Sequence, residues 1–156
     1  MESFVIEGGQ PLQGSITPQG AKNEALQILC AVLLTRESVT IHNIPDIVDV
    51  NKLIQLLKNF GVVVEKISNG SFRFTAAEVQ MGYLSSDQFK IDGKGLRGSI
   101  MLVGPLLARF GKGSIPRPGG DKIGRRRLDT HFEGLVKLGA QFNYNKEDYF
   151  LSLIHI

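Results

Sequence analysis

The chain has 156 residues, of which 42% are hydrophobic and one is cysteine, with a formal charge of +3; this is enough length and apolar content for one domain with a proper core, and it argues against disorder. No apolar run reaches the ~18 residues of a membrane span, and the opening MESFVIEGG lacks the basic-then-apolar pattern of a signal peptide, so a cytoplasmic protein is expected. A single cysteine excludes an internal disulfide or a cysteine-based metal cluster; Cys30 lies in an apolar run and reads as a buried structural thiol.

The segment Ala21 to Leu34, AKNEALQILCAVLL, is apolar almost all round beyond its first turn and predicts a helix buried among neighbours. Val50, Leu53, Ile54, Leu57 and Phe60 recur at helical spacing after Asp49, with Gly61 as the stop, which predicts an amphipathic surface helix. Val62 to Thr75 then reads as two antiparallel strands joined at Asn69-Gly70. The same order returns further on. Ile100 to Leu107 predicts a second buried helix, while Phe132, Leu135 and Val136 mark a second amphipathic one ended by Gly139. AQFNY and YFLSL form a second strand pair. The chain is therefore an internal repeat. Aligning Leu34 with Leu107 and Gly61 with Gly139 leaves five more residues between these anchors in the second copy.

The extra residues fall in one loop. The first copy turns simply at Ile44-Pro45-Asp46, whereas the second carries PGGDKIGRRRLD, Pro118 to Asp129. A repeat that lengthens one loop and fills it with glycine and charge departs from what packing asks, which favours function there. Gly119 and Gly120 let the chain turn sharply and present amide hydrogens. Lys122, Arg125 and Arg126 offer donors that match phosphate oxygens, and a helix starting near Leu128 adds its positive end. Such a loop suits a phosphorylated ligand; the plainer alternative is a solvated basic loop. Asp121, set among these cations, is held ionised until an anion offsets them, when it can take up and deliver a proton. Taken alone it is also an ordinary turn or cap residue.

A second cluster lies near the start, in QGAKNEAL. Lys22 and Asn23 fall on the first turn of the buried helix, where the helix end repels a cation. A bound anion would resolve that conflict; the alternative is a lysine that reaches solvent. Arg97, in GKGLRGSI, precedes the corresponding helix of the second copy, so bases from separate segments can converge on one anion. His42, His131 and His155 lack metal-ligand spacing and read as structural or solvent-facing. Nucleic acid is disfavoured, because Asp121 and Asp129 flank the bases and no aromatic ladder accompanies them.

GAKNEALQIL (Gly20 to Leu29), LRGSIMLVGPLLARFGKG (Leu96 to Gly113) and PGGDKIGRRRLDTH (Pro118 to His131) together closely resemble the UDP-N-acetylglucosamine 1-carboxyvinyltransferase family of enolpyruvyl transferases, from Phe4 to about Leu151. The resemblance implies an α/β (α+β) fold, the inside-out α/β barrel with two lobes of three βαβαββ units each and an active site between the lobes. Two units of the first lobe would span residues 21–150. Residues 1–20 would be a strand segment of the second lobe, and 151–156 a truncated tail. Members are much longer, so the chain would lack the third unit and most of the second lobe and would be inactive alone.

The implied reaction moves the enolpyruvyl group of phosphoenolpyruvate to the 3′-hydroxyl of UDP-N-acetylglucosamine and releases phosphate, opening peptidoglycan synthesis, with no metal or organic cofactor and no nucleic-acid or membrane partner. By the same resemblance Lys22 holds the phosphate, Asn23 lies by the sugar, and Arg97 meets the substrate anions. Arg126 serves phosphoenolpyruvate and the nucleotide sugar. Arg126, Arg127, Leu128, Asp129 and Thr130 grip the UDP part, although Arg127 and Thr130 depart from the Arg-Pro-Val-Asp-Leu common there. Asp121 stands where many members carry a cysteine general acid. The competing readings are a shikimate-pathway enolpyruvyl transferase, against which Lys22-Asn23 and PGGDKIG argue, and a noncatalytic nucleotide-sugar-binding domain.

Overall fold

A computed structural model of the chain describes residues 3–9, 11–116, 128–144 and 148–153. The loop residues 117–127, which include Asp121, Lys122, Arg125, Arg126 and Arg127, lie outside the described residues, as does His155.

Helix α1 (Lys22–Ala31) continues into a 3-10 turn at Val32–Leu34, followed by β1 (Ser38–Ile41), α2 (Val48–Asn59), β2 (Val63–Ser68) and β3 (Ser71–Thr75). A 3-10 turn at Met81–Ser85, α3 (Asp87–Lys94) and a 3-10 segment at Arg97–Leu102 lead to α4 (Val103–Phe110), β4 (Lys112–Pro116), α5 (Asp129–Lys137), β5 (Ala140–Tyr144) and β6 (Asp148–Leu153). The repeat is plain in the sheets: each has three strands, ordered β1-β3-β2 and β4-β6-β5, with the last strand of the unit in the centre and antiparallel to both neighbours.

The helix caps repeat as well. Phe60 caps α2 and Leu138 caps α5, and each is followed by a glycine in the left-handed region, Gly61 at φ 89° and Gly139 at φ 96°, the conformation that lets a helix end and its chain reverse into a strand. A third pair of glycines is equivalent for a different reason. A side chain at Gly20 would start 2.0 Å from the Asn43 carbonyl oxygen, and one at Gly93 would start 2.6 Å from Pro116 Cγ. In both units the backbone before the first helical stretch is pressed against the end of the first strand, where only hydrogen fits.

Among the described residues each unit shows helix, strand, helix and two strands, since residues 3–9 and 11–20 carry no strand before α1 and only helical or irregular chain lies between β3 and α4. The strand expected within residues 1–20 is not formed: residues 3–9 and 11–20 carry neither helix nor strand, and Phe4, Val5, Ile6, Leu12 and Ile16 are exposed. A strand needs a neighbour for its amide and carbonyl groups. At the other end, β6 runs to Leu153, as the strand expected over YFLSL does. The first apolar helix is less buried than its composition predicts, and the second begins later than expected. Ile28 and Leu34 are exposed, and Ile100 falls in a 3-10 segment before α4 begins.

Helix α3 was not legible from apolar periodicity. Its signal is a cap: the Ser86 hydroxyl accepts from the Phe89 amide, and Asp87 sits in the first turn. Phe89 on this helix meets Phe60 edge-on at 5.6 Å, and Tyr83 meets Phe60 at 4.9 Å. The larger core thus joins the first unit to α3, the Arg97–Leu102 segment and α4, while a smaller one of Val103, Leu107, Ile115, Phe132, Ala140 and Leu151 lies under the second sheet. Arg109, in the last turn of α4, ties the units together. Its guanidinium donates to the carbonyls of Leu33, Thr35 and Ala76 at 2.8 Å each, satisfying backbone acceptors at the end of the first helical stretch and just beyond β3.

Candidate active site

Lys22 and Asn23 are the first two residues of α1, as the sequence predicts. The helix starts there because Gly20 is pinned against Asn43 and Ala21 is extended, with Glu24 supplying a favourable acid in the first turn. The charge conflict expected at Lys22 has a local answer. Its Nζ donates to Asp49 Oδ2 at 2.7 Å, and Asp49 lies in the first turn of α2, where a helix N-terminus favours an anion. Sequence reasoning noted Asp49 only as the polar residue leading into α2; a pair 27 positions apart leaves no periodic trace. Asn23 is exposed.

Arg97 opens the 3-10 segment and is half-buried. Its position follows from its neighbours: Leu96 is buried, and Gly98 lies so close to α1 that an added Cβ would sit 3.0 Å from Leu26 Cδ1. Leu26 is one turn beyond Lys22. The two helical stretches headed by Lys22 and Arg97 are therefore packed against each other.

Leu128 is half-buried and caps α5, while Asp129 and Thr130 are exposed on its first turn. Thr130 shares a cavity of about 420 Å³ with Ile100, Met101 and Pro105 of the Arg97 segment and α4. Asp121, Arg126 and Arg127 lie outside the described residues.

Two other polar residues have structural roles. Cys30 is buried, and burial pushes its thiol well above its usual range, leaving it inert as a nucleophile. His42 Nδ1 pairs with Ser71 Oγ at 3.0 Å between β1 and β3, and His131 is exposed.

Paired αβαββ units with this strand order define an enolpyruvyl-transferase-type α/β fold: the crystal structure of the enolpyruvyl transferase NikO from Streptomyces tendae superposes with a TM-score of 0.74 over 96% of this chain and 32% of that one, at 18% identity. The chain belongs to the EPSP synthase (3-phosphoshikimate 1-carboxyvinyltransferase) family, whose profile matches residues 6–155. Among curated relatives it is 63% identical over 147 residues to a Bacteroides fragilis protein named UDP-N-acetylglucosamine 1-carboxyvinyltransferase. Proteins of the same name from Porphyromonas gingivalis and Treponema denticola are 54% and 40% identical. These alignments cover 94% to 97% of this chain, which spans about a third of the relatives' length (34% to 35%).

Proposed function

We propose that this chain is part of an enzyme that transfers the enolpyruvyl group of phosphoenolpyruvate to the 3′-hydroxyl of UDP-N-acetylglucosamine, releasing phosphate, in the cytoplasmic opening step of peptidoglycan synthesis. The observation that carries this reading is the 63% identity to the Bacteroides fragilis relative of that name. Identity at this level favours the relative's substrates over those in the family's own description, which is that of the shikimate-pathway enzyme.

The residue roles in this reading are electrostatic. Lys22 and Arg97 head mutually packed helical stretches, and with Arg126 they would meet the phosphoryl and carboxylate charges of phosphoenolpyruvate. Asn23 would contact the sugar, and Arg126, Arg127, Leu128, Asp129 and Thr130 the UDP portion. Asp121 is the general acid. Bases flank it in the sequence, and a bound phosphoryl group that offsets them would let it carry the proton given to the methylene carbon. Addition of the sugar hydroxyl, whose proton passes to a base, would then give the tetrahedral intermediate, and loss of phosphate together with a proton from the new methyl group would give the enol ether. Further charged residues come from the second lobe of the relatives' length.

The test replaces the matching 147 residues of the Bacteroides fragilis relative by those of this chain and measures phosphate release from phosphoenolpyruvate with UDP-N-acetylglucosamine. The chimera turns over, whereas the 156-residue chain alone does not. Replacement of UDP-N-acetylglucosamine by shikimate 3-phosphate as the effective acceptor would overturn the reading. The chimera resists fosfomycin, which alkylates a thiol in place of Asp121, and Asp121→Cys makes it sensitive with turnover kept.

A further inference from the structure

The ion pair between Lys22 and Asp49 bears on how tightly the site takes its anion. Lys22 Nζ sits at the positive end of α1, where the helix opposes its charge, and Asp49 sits at the positive end of α2, where the helix supports its charge. The carboxylate is thus held where an incoming anion would need to be, 2.7 Å from the ammonium group. Both side chains remain substantially exposed, at 50% and 38%, so the pair is weak enough to be broken by a competitor. A singly charged competitor gains at Lys22 only the attraction it displaces. A doubly charged phosphoryl group gains about twice as much at the same distance.

We propose that Asp49 is a competing counter-ion: it occupies Lys22 in the empty site and must be displaced by the phosphoryl group that binds there. This rests on the reading that Lys22 binds the phosphoryl group. Asp49 does not touch the reacting atoms; it acts through Lys22 as a positioning residue, holding the ammonium group at the mouth of α1 until the ligand replaces it.

Inorganic phosphate titrated into the 156-residue chain, followed on the backbone amides of Lys22 and Asn23 by NMR, tests the proposal. Asp49→Asn tightens phosphate binding about 1.5- to fivefold, the range expected for releasing one exposed ion pair. Asp49→Glu, which keeps the competing charge, stays near the parent value. In a Lys22→Gln background the Asp49→Asn gain disappears, because no cation is left to compete for. An unchanged or weakened affinity in Asp49→Asn overturns the proposal, and so does an equal gain with and without Lys22, which would mean plain through-space repulsion. Saturable binding that needs Lys22 but ignores Asp49 removes only this inference. If no variant shows a phosphate response at Lys22, the role assigned to Lys22 fails with it.

Discussion

Phe60 and Leu138 hold the same place in the two units, each capping the second helix just before a left-handed glycine, yet Phe60 is 0% exposed and Leu138 is 77% exposed. The difference lies in the neighbour. Helix α3 and the turn before it cover the end of α2, placing Phe89 and Tyr83 against the Phe60 ring. Nothing among the described residues does this for α5, whose Leu135 and Leu138 border the open cavity shared with Met101 and Pro105. Equal sequence positions thus acquire unequal energetic weight, because burial depends on what packs over a residue as much as on the residue itself.

Substitution at this pair should split the two units most widely. Phe60→Ala is expected to cost about 3–5 kcal/mol of unfolding free energy, the range for removing a fully packed aromatic side chain. Leu138→Ala should fall within about 0.5 kcal/mol, since an exposed side chain loses little. Urea denaturation of both variants measures the gap, and equal losses would remove the contrast.

The glycines Gly20 and Gly93 sharpen the comparison in the opposite direction, as a constraint both units keep. Alanine at either forces an overpacked contact costing about 1–3 kcal/mol. Gly20→Ala should be the worse, because it meets a backbone carbonyl at 2.0 Å while Gly93→Ala meets a proline ring atom at 2.6 Å. Thermal melts rank the two.

A smaller effect belongs to the covering turn alone. Burial and the hydrogen bond donated to Asp92 push the Tyr83 hydroxyl up to about 12 from its usual value near 10. Folding therefore holds a proton that the unfolded chain gives up first. The stabilisation is fully present below about pH 10 and declines as pH rises toward 12. Tyr83→Phe should flatten that alkaline decline, as followed by stability measured across pH 9 to 12 on the scale of the reference values, with no counterpart in the second unit.

Much of the repeat was legible because its signals are local. Asn69-Gly70 turned the hairpin where the chain does, with Gly70 at φ 70°, and Gly61 and Gly139 stopped their helices. The apolar spacing of Val50, Leu53, Ile54 and Leu57 named the buried face of α2. Helix α3 escaped because its apolar content is low and its start is written in a cap. Of the candidate site, Lys22, Asn23 and Arg97 stand at helical starts as expected, whereas Asp49 joins them only through a contact between helices.

What the amino-acid order determined by itself was the series of elements and their duplication, since propensity, periodicity and glycine turns act over a few residues and need no distant partner. Only the tertiary structure decided which copy of a repeated position is buried, which strand of each unit takes the sheet centre, and which carboxylate meets Lys22. Each of these depends on surfaces brought together from far along the chain, where burial and short-range Coulomb attraction operate through distance in space rather than along the sequence.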